Sequence, residues 1–345
     1  MNKIFFPPEW YRQSAIQLTW PHGESDWSYM IEEVTACFVN IASEIIKRQK
    51  LIVVCRNAEI VKYELRKEKN HFHNLILLEA PTNDTWARDH SGISVFRGEK
   101  HCLYDFTFNG WGLKFAANYD NLINRELFKG NIFDGNVHYS NKKDFVLEGG
   151  GVESDGKGTL LTTSECLLSP NRNAYMNKEQ IENYLKESFG VNRVLWLDYG
   201  YLSGDDTDSH IDTLARFCDE HTIAYVKCED KNDEHYEQLA KMEEQLKTFV
   251  DYEGNPYRLV PLPMADAVYD DDNNRLPATY ANFLIMNDIV LMPFYNNREK
   301  DEAARLRLQK IFLSRRIVGV DCTPLIQQHG SLHCVTMQYP EGYIL

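Results

Sequence analysis

The eight cysteines of this 345-residue chain include no C-x-x-C pair. That argues against the common cysteine zinc site and against a disulfide framework, and leaves reduced thiols as the expectation. There is no run of about 18 apolar residues, so nothing reads as a membrane span. The opening stretch MNKIFFPPEWYRQ has neither a continuous apolar core nor a small-residue cleavage site. No signal peptide is expected from it, and a cytoplasmic location is. Basic residues are in the minority, with 37 Lys+Arg against 51 Asp+Glu and a formal net charge of −14. That balance argues against nucleic acid and anionic membrane as partners, and it suits a cationic ligand. Low-complexity linkers and composition shifts are also missing, so a single domain over residues 1–345 is expected.

What is present is a chain able to bury a sizeable core, with 43% apolar residues. Short apolar runs recur, among them KLIVVCR (50–56), NLILLEA (74–80), HCLYDFTF (101–108), RVLWLDYG (193–200) and RIVGVDC (316–322). Most are four to eight residues long and bounded by Gly, Asn, Asp or Pro, which predicts strands. Between them, residues 27–49 carry an apolar stripe at three- and four-residue spacing, and 177–189, 234–250 and 299–314 also read as amphipathic helices. The fold class is α/β with several hairpins, and no internal repeat is readable.

The densest polar cluster is SGDDTDSHIDTLARF, residues 203–217, with Asp205, Asp206, Asp208, His210 and Asp212. Ile211, Leu214 and Phe217 put its second half on a strand or at the start of one. Alternation along that strand would send His210 and Asp212 to one face. A histidine beside a carboxylate suits acid–base chemistry. With the further carboxylates it also suits a metal-dependent hydrolase built on Asp205, Asp208, His210 and Asp212. A hydrogen-bonded acidic turn is the third reading.

Four other stretches carry chemistry. NDTWARDHSG (83–92) sets Trp86 and Asp89 just before a strand, where a carboxylate and an aromatic face can hold a planar cation, although Arg88 and Asp89 can equally form structural pairs. VLEGGGVESDGKG (146–158) puts Glu148 before three glycines, which allow a close backbone approach without the pattern of a dinucleotide site. FNGWGLKF (108–115) places glycines around Trp111, which reads as exposed. HGSLHCVTMQYP (329–340) puts Cys334 at the mouth of a final strand. Cys334 and His210 alone would suggest a protease or amidase. Carboxylates at Asp89, Glu148 and Asp212 are wrong for an acyl-transfer oxyanion, which needs donors. They are right for a planar cation rich in N–H groups, which is a guanidinium.

NDTWARDHSGI, FNGWG, LEGGGVESDGKGTLLTTSECLLSPNRN, GDDTDSHIDTLARF, LPATYANFLIMND and HGSLHCVTMQYP together resemble the agmatine deiminase family, related to bacterial peptidylarginine deiminases, in that family's order from about residue 15 to 340. The resemblance implies a five-bladed pseudo-fivefold α/β propeller (the pentein fold) with a central active site. It implies Cys334 as nucleophile, His210 as acid–base group, Asp89 and Asp212 as guanidinium clamps, and Glu148 as the carboxylate that orients His210. No metal or organic cofactor is needed. The chain departs from the family at DDTD, where a Glu is frequent, and at EGGG, where EGGS is frequent. The first departure bears on how the substrate tail is held.

Trp86 and Trp111 are expected to flank the substrate. Asp206, with Asp205 and Asp208 behind it, would repel an α-carboxylate and attract an ammonium. That favours agmatine, converted to N-carbamoylputrescine and ammonia on the way to putrescine. Peptidylarginine or free arginine is the alternative substrate. A homodimer or higher homo-oligomer is expected. Cys166 and Cys218 read as core thiols.

Overall fold

The computed structural model describes residues 3–344. A parallel strand pair needs a crossover that carries the chain back, usually over a helix. Of the six parallel pairs among the described residues, five are made in units of one kind, and the sixth joins Lys50–Cys55 by Ala58–Glu64 to Leu75–Glu79. Gln13–Thr19 crosses by helix Ile31–Ile46 to Lys50–Cys55, and Lys100–Thr107 by Ile123–Lys129 to Val137–Val146. Thr159–Thr163 crosses by Lys178–Phe189 to Arg193–Leu197, and Thr222–Lys227 by Tyr236–Leu246 to Arg258–Pro263. Ile289–Phe294 crosses by Arg298–Ile311 to Arg316–Asp321. In every unit the leading strand also has an antiparallel partner: Thr336–Pro340, Ile93–Arg97, Glu153–Ser154, Ala215–Asp219 and Leu284–Ile285, in the same order. The first unit is thus completed by the last strand, with Thr336 opposite Leu18. Additional strands, Ile4–Phe5 and Leu75–Glu79, extend two of the sheets.

The predicted helices fall where the apolar stripes put them. Val34, Phe38, Ile41, Ala42, Ile45 and Ile46 are the buried stripe of the first helix. Lys50–Cys55 has Leu51 through Cys55 buried, as a strand covered on both faces requires, and its sequence is accordingly a continuous apolar run. Among the described residues no helix is long and apolar enough to cross a membrane.

Each antiparallel strand is entered through a tight turn, and the five turns touch in sequence. The turn at 332–335 meets Ala87–His90 where Arg88 N donates to Cys334 O at 3.0 Å. Gly150 N, on the Gly149–Gly151 turn, donates to Asp89 Oδ1 at 3.0 Å. A side chain at Gly150 would lie 2.7 Å from His210 Nδ1, so this turn lies directly against Ile211–Leu214. Asn282 Nδ2, on the turn at 279–282, donates to Asp212 O at 3.3 Å, and His333 N donates to Asn282 Oδ1 at 2.8 Å. The cycle of contacts is closed.

Two expectations are corrected. Residues 211–214 form a helical turn and the strand starts at Ala215, so His210 and Asp212 are not alternating strand positions. The turn is closed locally, with Thr213 N and Oγ1 both bonded to His210 O at 3.2 and 2.8 Å. Trp111 is buried, because its indole packs edge-on to Phe108 and Phe115 and its N–H finds a carboxylate.

Candidate active site

Every turn of the cycle delivers polar groups to the same place. Asp89, Glu148, His210 with Asp212, Asn282 and Cys334 come from the five turns in order, and all are buried. Gly150 makes the assembly possible. A Cβ there would also sit 2.8 Å from Asp89 Oδ1, so only glycine lets the backbone N–H reach that oxygen. Gly330 does the same for an aromatic wall, since a Cβ would lie 2.2 Å from the Trp86 ring.

Asp89 is held at both oxygens, by Gly150 N and by Trp111 Nε1 at 2.9 Å. Burial pushes its carboxyl up to about 6, despite His210 nearby at 3.6 Å. Asp212 Oδ2 accepts from His333 Nδ1 at 2.7 Å, while its Oδ1 is buried without a partner. Burial would raise Asp212, but the His333 hydrogen bond and charge hold it below the usual carboxylate range. Neither ring nitrogen of His210 has a hydrogen-bond partner. Burial disfavours its cation, yet Asp89, Cys166 and Glu148 outweigh burial and raise it well above an ordinary histidine. Cys334 Sγ lies 3.4 Å from Asn282 Oδ1 and 3.9 Å from Asp212 Oδ2. Burial, then the Asp212 and Asp89 charges, raise its thiol well above the normal value. Buried polar atoms are almost always paired, and Asp212 Oδ1 and both His210 ring nitrogens are exceptions beside Cys334.

Glu148 has its titratable oxygens within 4.8 Å of Cys166 Sγ and a His210 nitrogen. Its own hydrogen bonds go to Arg172, whose Nε donates to both carboxylate oxygens at 3.0 Å. Arg172 also reaches Asp208 Oδ2 at 2.5 Å, and Lys114 Nζ lies 2.7 Å from Asp208 Oδ1. Asp208 is therefore already neutralised by two cations. Asp205 closes its own turn, accepting from Thr207 Oγ1 at 2.6 Å and Ser209 N at 2.7 Å. Of the three sequence-predicted tail residues, only Asp206 lines the cleft that contains Cys334.

That cleft is narrow and is walled by Trp86, Trp111 and Phe115. Asp89 and Cys334 lie in it together with Asp26, Asp84 and Asp206, and its lining includes neither lysine nor arginine. Burial raises Asp84 and Asp206 to about 6, in Asp206 against the opposing charges of His329 and Lys114. A second pocket of about 580 Å³ lies against Glu9, Arg88, Glu153 and His333 without Cys334.

A metal on Asp205, Asp208, His210 and Asp212 is not what the geometry offers. Three of those carboxylates are spent on Thr207 and Ser209, on Lys114 and Arg172, and on His333. Among the described residues the buried cluster that includes His210 adds Glu148 and Cys166, directly against the Arg172 guanidinium.

Residues 5–340 match the family described as Porphyromonas-type peptidyl-arginine deiminase. The chain belongs to that family. It is 31% identical to a "Putative agmatine deiminase" of Legionella pneumophila (strain Paris), across 99% of this chain and 97% of that protein. Its fold matches the crystal structure of the "Putative Arginine Deiminase from Porphyromonas gingivalis", with a TM-score of 0.95, 55% identity, and coverage of 99% of this chain and 100% of the other. It also matches a Cys-to-Ser variant of C. jejuni agmatine deiminase with substrate bound, with a TM-score of 0.90, 39% identity, and coverage of 98% and 97%. The family resemblance drawn from the motifs is borne out, and a guanidino-group hydrolase is the activity class of this family.

Sequence reasoning missed Asn282, although its stretch LPATYANFLIMND was singled out. It missed His333, beside Cys334, as well as Arg172, Glu9, Asp26 and Asp84. None of these has a local signal. Their roles depend on contacts between residues far apart in the chain, such as the 324 positions between His333 and Glu9.

Proposed function

We propose that the protein is an agmatine deiminase that hydrolyses agmatine to N-carbamoylputrescine and ammonia through Cys334. The observation that carries this reading is the charge of the cleft: Asp26, Asp84, Asp89 and Asp206 line it with Cys334, and no lysine or arginine does. A guanidinium suits Asp89 and the neighbouring Asp212 beside Cys334, and an ammonium suits the remaining carboxylates of the lining. The α-carboxylate of free arginine would meet Asp26, Asp84 and Asp206, with His329 as the basic residue of the lining.

In this reading the guanidinium donates to Asp212 Oδ1 and Asp89, which fixes its plane against Cys334. Its charge offsets the two carboxylates that hold the thiol protonated, and as substrate binds the thiol releases its proton to solvent and becomes the thiolate. Sulfur attacks the central carbon to give a tetrahedral adduct. His210 donates a proton to the departing nitrogen, ammonia leaves, and an amidino-cysteine remains. His210 then takes a proton from water, which attacks the same carbon. Collapse releases the ureido product and the thiolate. Glu148, locked by Arg172, supports the cationic form of His210 by charge.

We read the five turn-linked units as blades of a five-bladed propeller with the site on its axis. Eight free, buried cysteines fit a reducing compartment such as the cytoplasm.

Peptidylarginine is the second reading, favoured by the family's description. Ammonia release from agmatine, free arginine and an arginyl peptide decides between them. We expect agmatine to be preferred, with activity kept in EDTA and lost to iodoacetamide. Preference for the peptide would overturn the agmatine assignment, and loss of activity in EDTA would overturn the thiol mechanism.

A further inference from the structure

A carboxylate accepts hydrogen bonds and cannot donate them while ionised. His333 sits between two carboxylates. Its Nδ1 is 2.7 Å from Asp212 Oδ2 and its Nε2 is 2.6 Å from Glu9 Oε2. With both carboxylates ionised, the two contacts are hydrogen bonds together only when both ring nitrogens carry protons. Glu9 comes from the N-terminal segment and is fixed from several sides. Its Oε1 accepts from Ile285 N at 2.7 Å, its Oε2 from Arg216 Nη2 at 2.8 Å, and its carbonyl from Gln13 Nε2 at 2.7 Å. Pro7 and Pro8 precede it, both buried; proline fixes φ and has no N–H to strand in the interior.

We propose that Glu9 and His333 are positioning residues: the N-terminal segment holds His333 as an imidazolium, which keeps Asp212 ionised and aims its free Oδ1 at the guanidinium. This rests on the guanidine-hydrolase reading for what Asp212 binds, but not for the charge state of His333. The charges packed around the pair come from every neighbouring element. Arg88 and Asp89 lie on one turn, Glu148 and Glu153 beside the next, and His210 and Arg216 flank Asp212, with Cys334 adjacent in the chain. Glu153 is bonded to Arg216 and Glu148 to Arg172, while Glu9 Oε2 is shared between Arg216 Nη2 and His333 Nε2.

Glu9→Gln keeps the shape and removes the charge. The amide can then donate to Nε2, which lets His333 relax to the neutral ring while Nδ1 still bonds Asp212. Asp212 would then protonate at higher pH. The assay is the carbon-13 titration of the Asp212 carboxyl from pH 3 to 8 in the Cys334→Ser background, because Asp89 and Asp206, raised to about 6, dominate the acid limb of agmatine binding. We expect the Asp212 titration to move up by about one pH unit with Glu9→Gln, agmatine binding at neutral pH staying within about threefold. Glu9→Gln added to His333→Gln should move it no further. An unmoved Asp212 titration, or loss of agmatine binding at neutral pH, would overturn the relay. Nitrogen-15 spectra of the wild-type imidazoles need no variant and no activity: both His333 nitrogens protonated at pH 7 is expected, and a neutral tautomer overturns the proposal. If agmatine binds as described and wild-type protein releases no ammonia, the deiminase reading fails and the relay stands.

Discussion

His210 and His333 lie in one buried cluster, both next to Asp89 or Asp212, yet they are opposites. Both nitrogens of His333 are hydrogen-bonded to carboxylates, and neither nitrogen of His210 has a hydrogen-bond partner. The same contrast divides the whole site. Asp205 and Asp208 are satisfied by the protein, whereas Asp212 Oδ1 is left open and Asp206 faces the cleft. Burying a polar group without a partner costs free energy, and in the proposed reading the substrate supplies the partners of the open set. The closed set holds the open one in place.

The largest effect should fall on the open nucleophile and its acid. Cys334→Ser is expected to abolish turnover while agmatine binding survives, because a hydroxyl is a far weaker nucleophile at neutral pH and the clamp carboxylates are untouched. His210→Asn should cost about 10²–10⁴-fold in kcat, the usual range for a lost acid–base group. Their closed counterparts should behave differently. Cys166→Ala should keep kcat within a few-fold, even though Cys166 lies within 4.8 Å of the His210 and Glu148 ligating atoms. Substantial kcat in Cys334→Ser, or its loss in Cys166→Ala, would break the division between the two sets.

Next come the clamps, where two readouts should move in opposite directions. Asp89→Asn and Asp212→Asn each remove a charge-assisted hydrogen bond to the guanidinium, worth about 1.5–3 kcal/mol, and kcat/KM should fall accordingly. The same carboxylates hold the Cys334 thiol up, so removing either should lower the thiol's pKa in the free protein. The rate of alkylation by iodoacetamide follows the thiolate. Its rise with pH is therefore expected to begin at lower pH in both variants than in wild type. Slower alkylation at every pH would mean that Cys334 is not under the field of these two groups.

How much of this was legible in the sequence follows the same line. Strands and long helices were readable because periodicity is local, as in Ile31–Ile46 and Lys50–Cys55. Asp89, His210, Asp212 and Cys334 were readable because their motifs are local too. The five-times-repeated strand–helix–strand unit was not, because it is repeated in backbone pairing and not in residue identity. The turn at Ile211–Leu214 was misread as a strand because Ile211, Leu214 and Phe217 supply apolar residues without saying that Thr213 bonds back to His210. Partner choice was the least legible. Nothing in DDTD says that Asp208 is taken by Arg172 and Lys114, and nothing in FPPEW says that Glu9 reaches His333.

The smallest effect concerns substrate choice among the three neighbouring aspartates, and it sharpens the comparison most. Asp206 lines the cleft and burial raises its carboxyl to about 6, so binding an ammonium should return it to the ionised form. Asp206→Asn should therefore lower kcat/KM for agmatine by roughly tenfold, about 1.4 kcal/mol, and leave arginine nearly unchanged. The preference should also weaken below pH 6, where Asp206 takes up a proton in the free protein and less negative charge awaits the amine. Asp205→Asn is expected to keep the wild-type preference and to lower stability, since its oxygens accept from Thr207 and Ser209 within its own turn. Asp208→Asn should likewise keep the preference, while releasing Lys114 and one arm of Arg172. The deciding measurement is the ratio of kcat/KM for agmatine to that for arginine in each variant. A ratio that collapses in Asp205→Asn and holds in Asp206→Asn would place the ammonium on the other side of the turn and assign the tail to the wrong carboxylate.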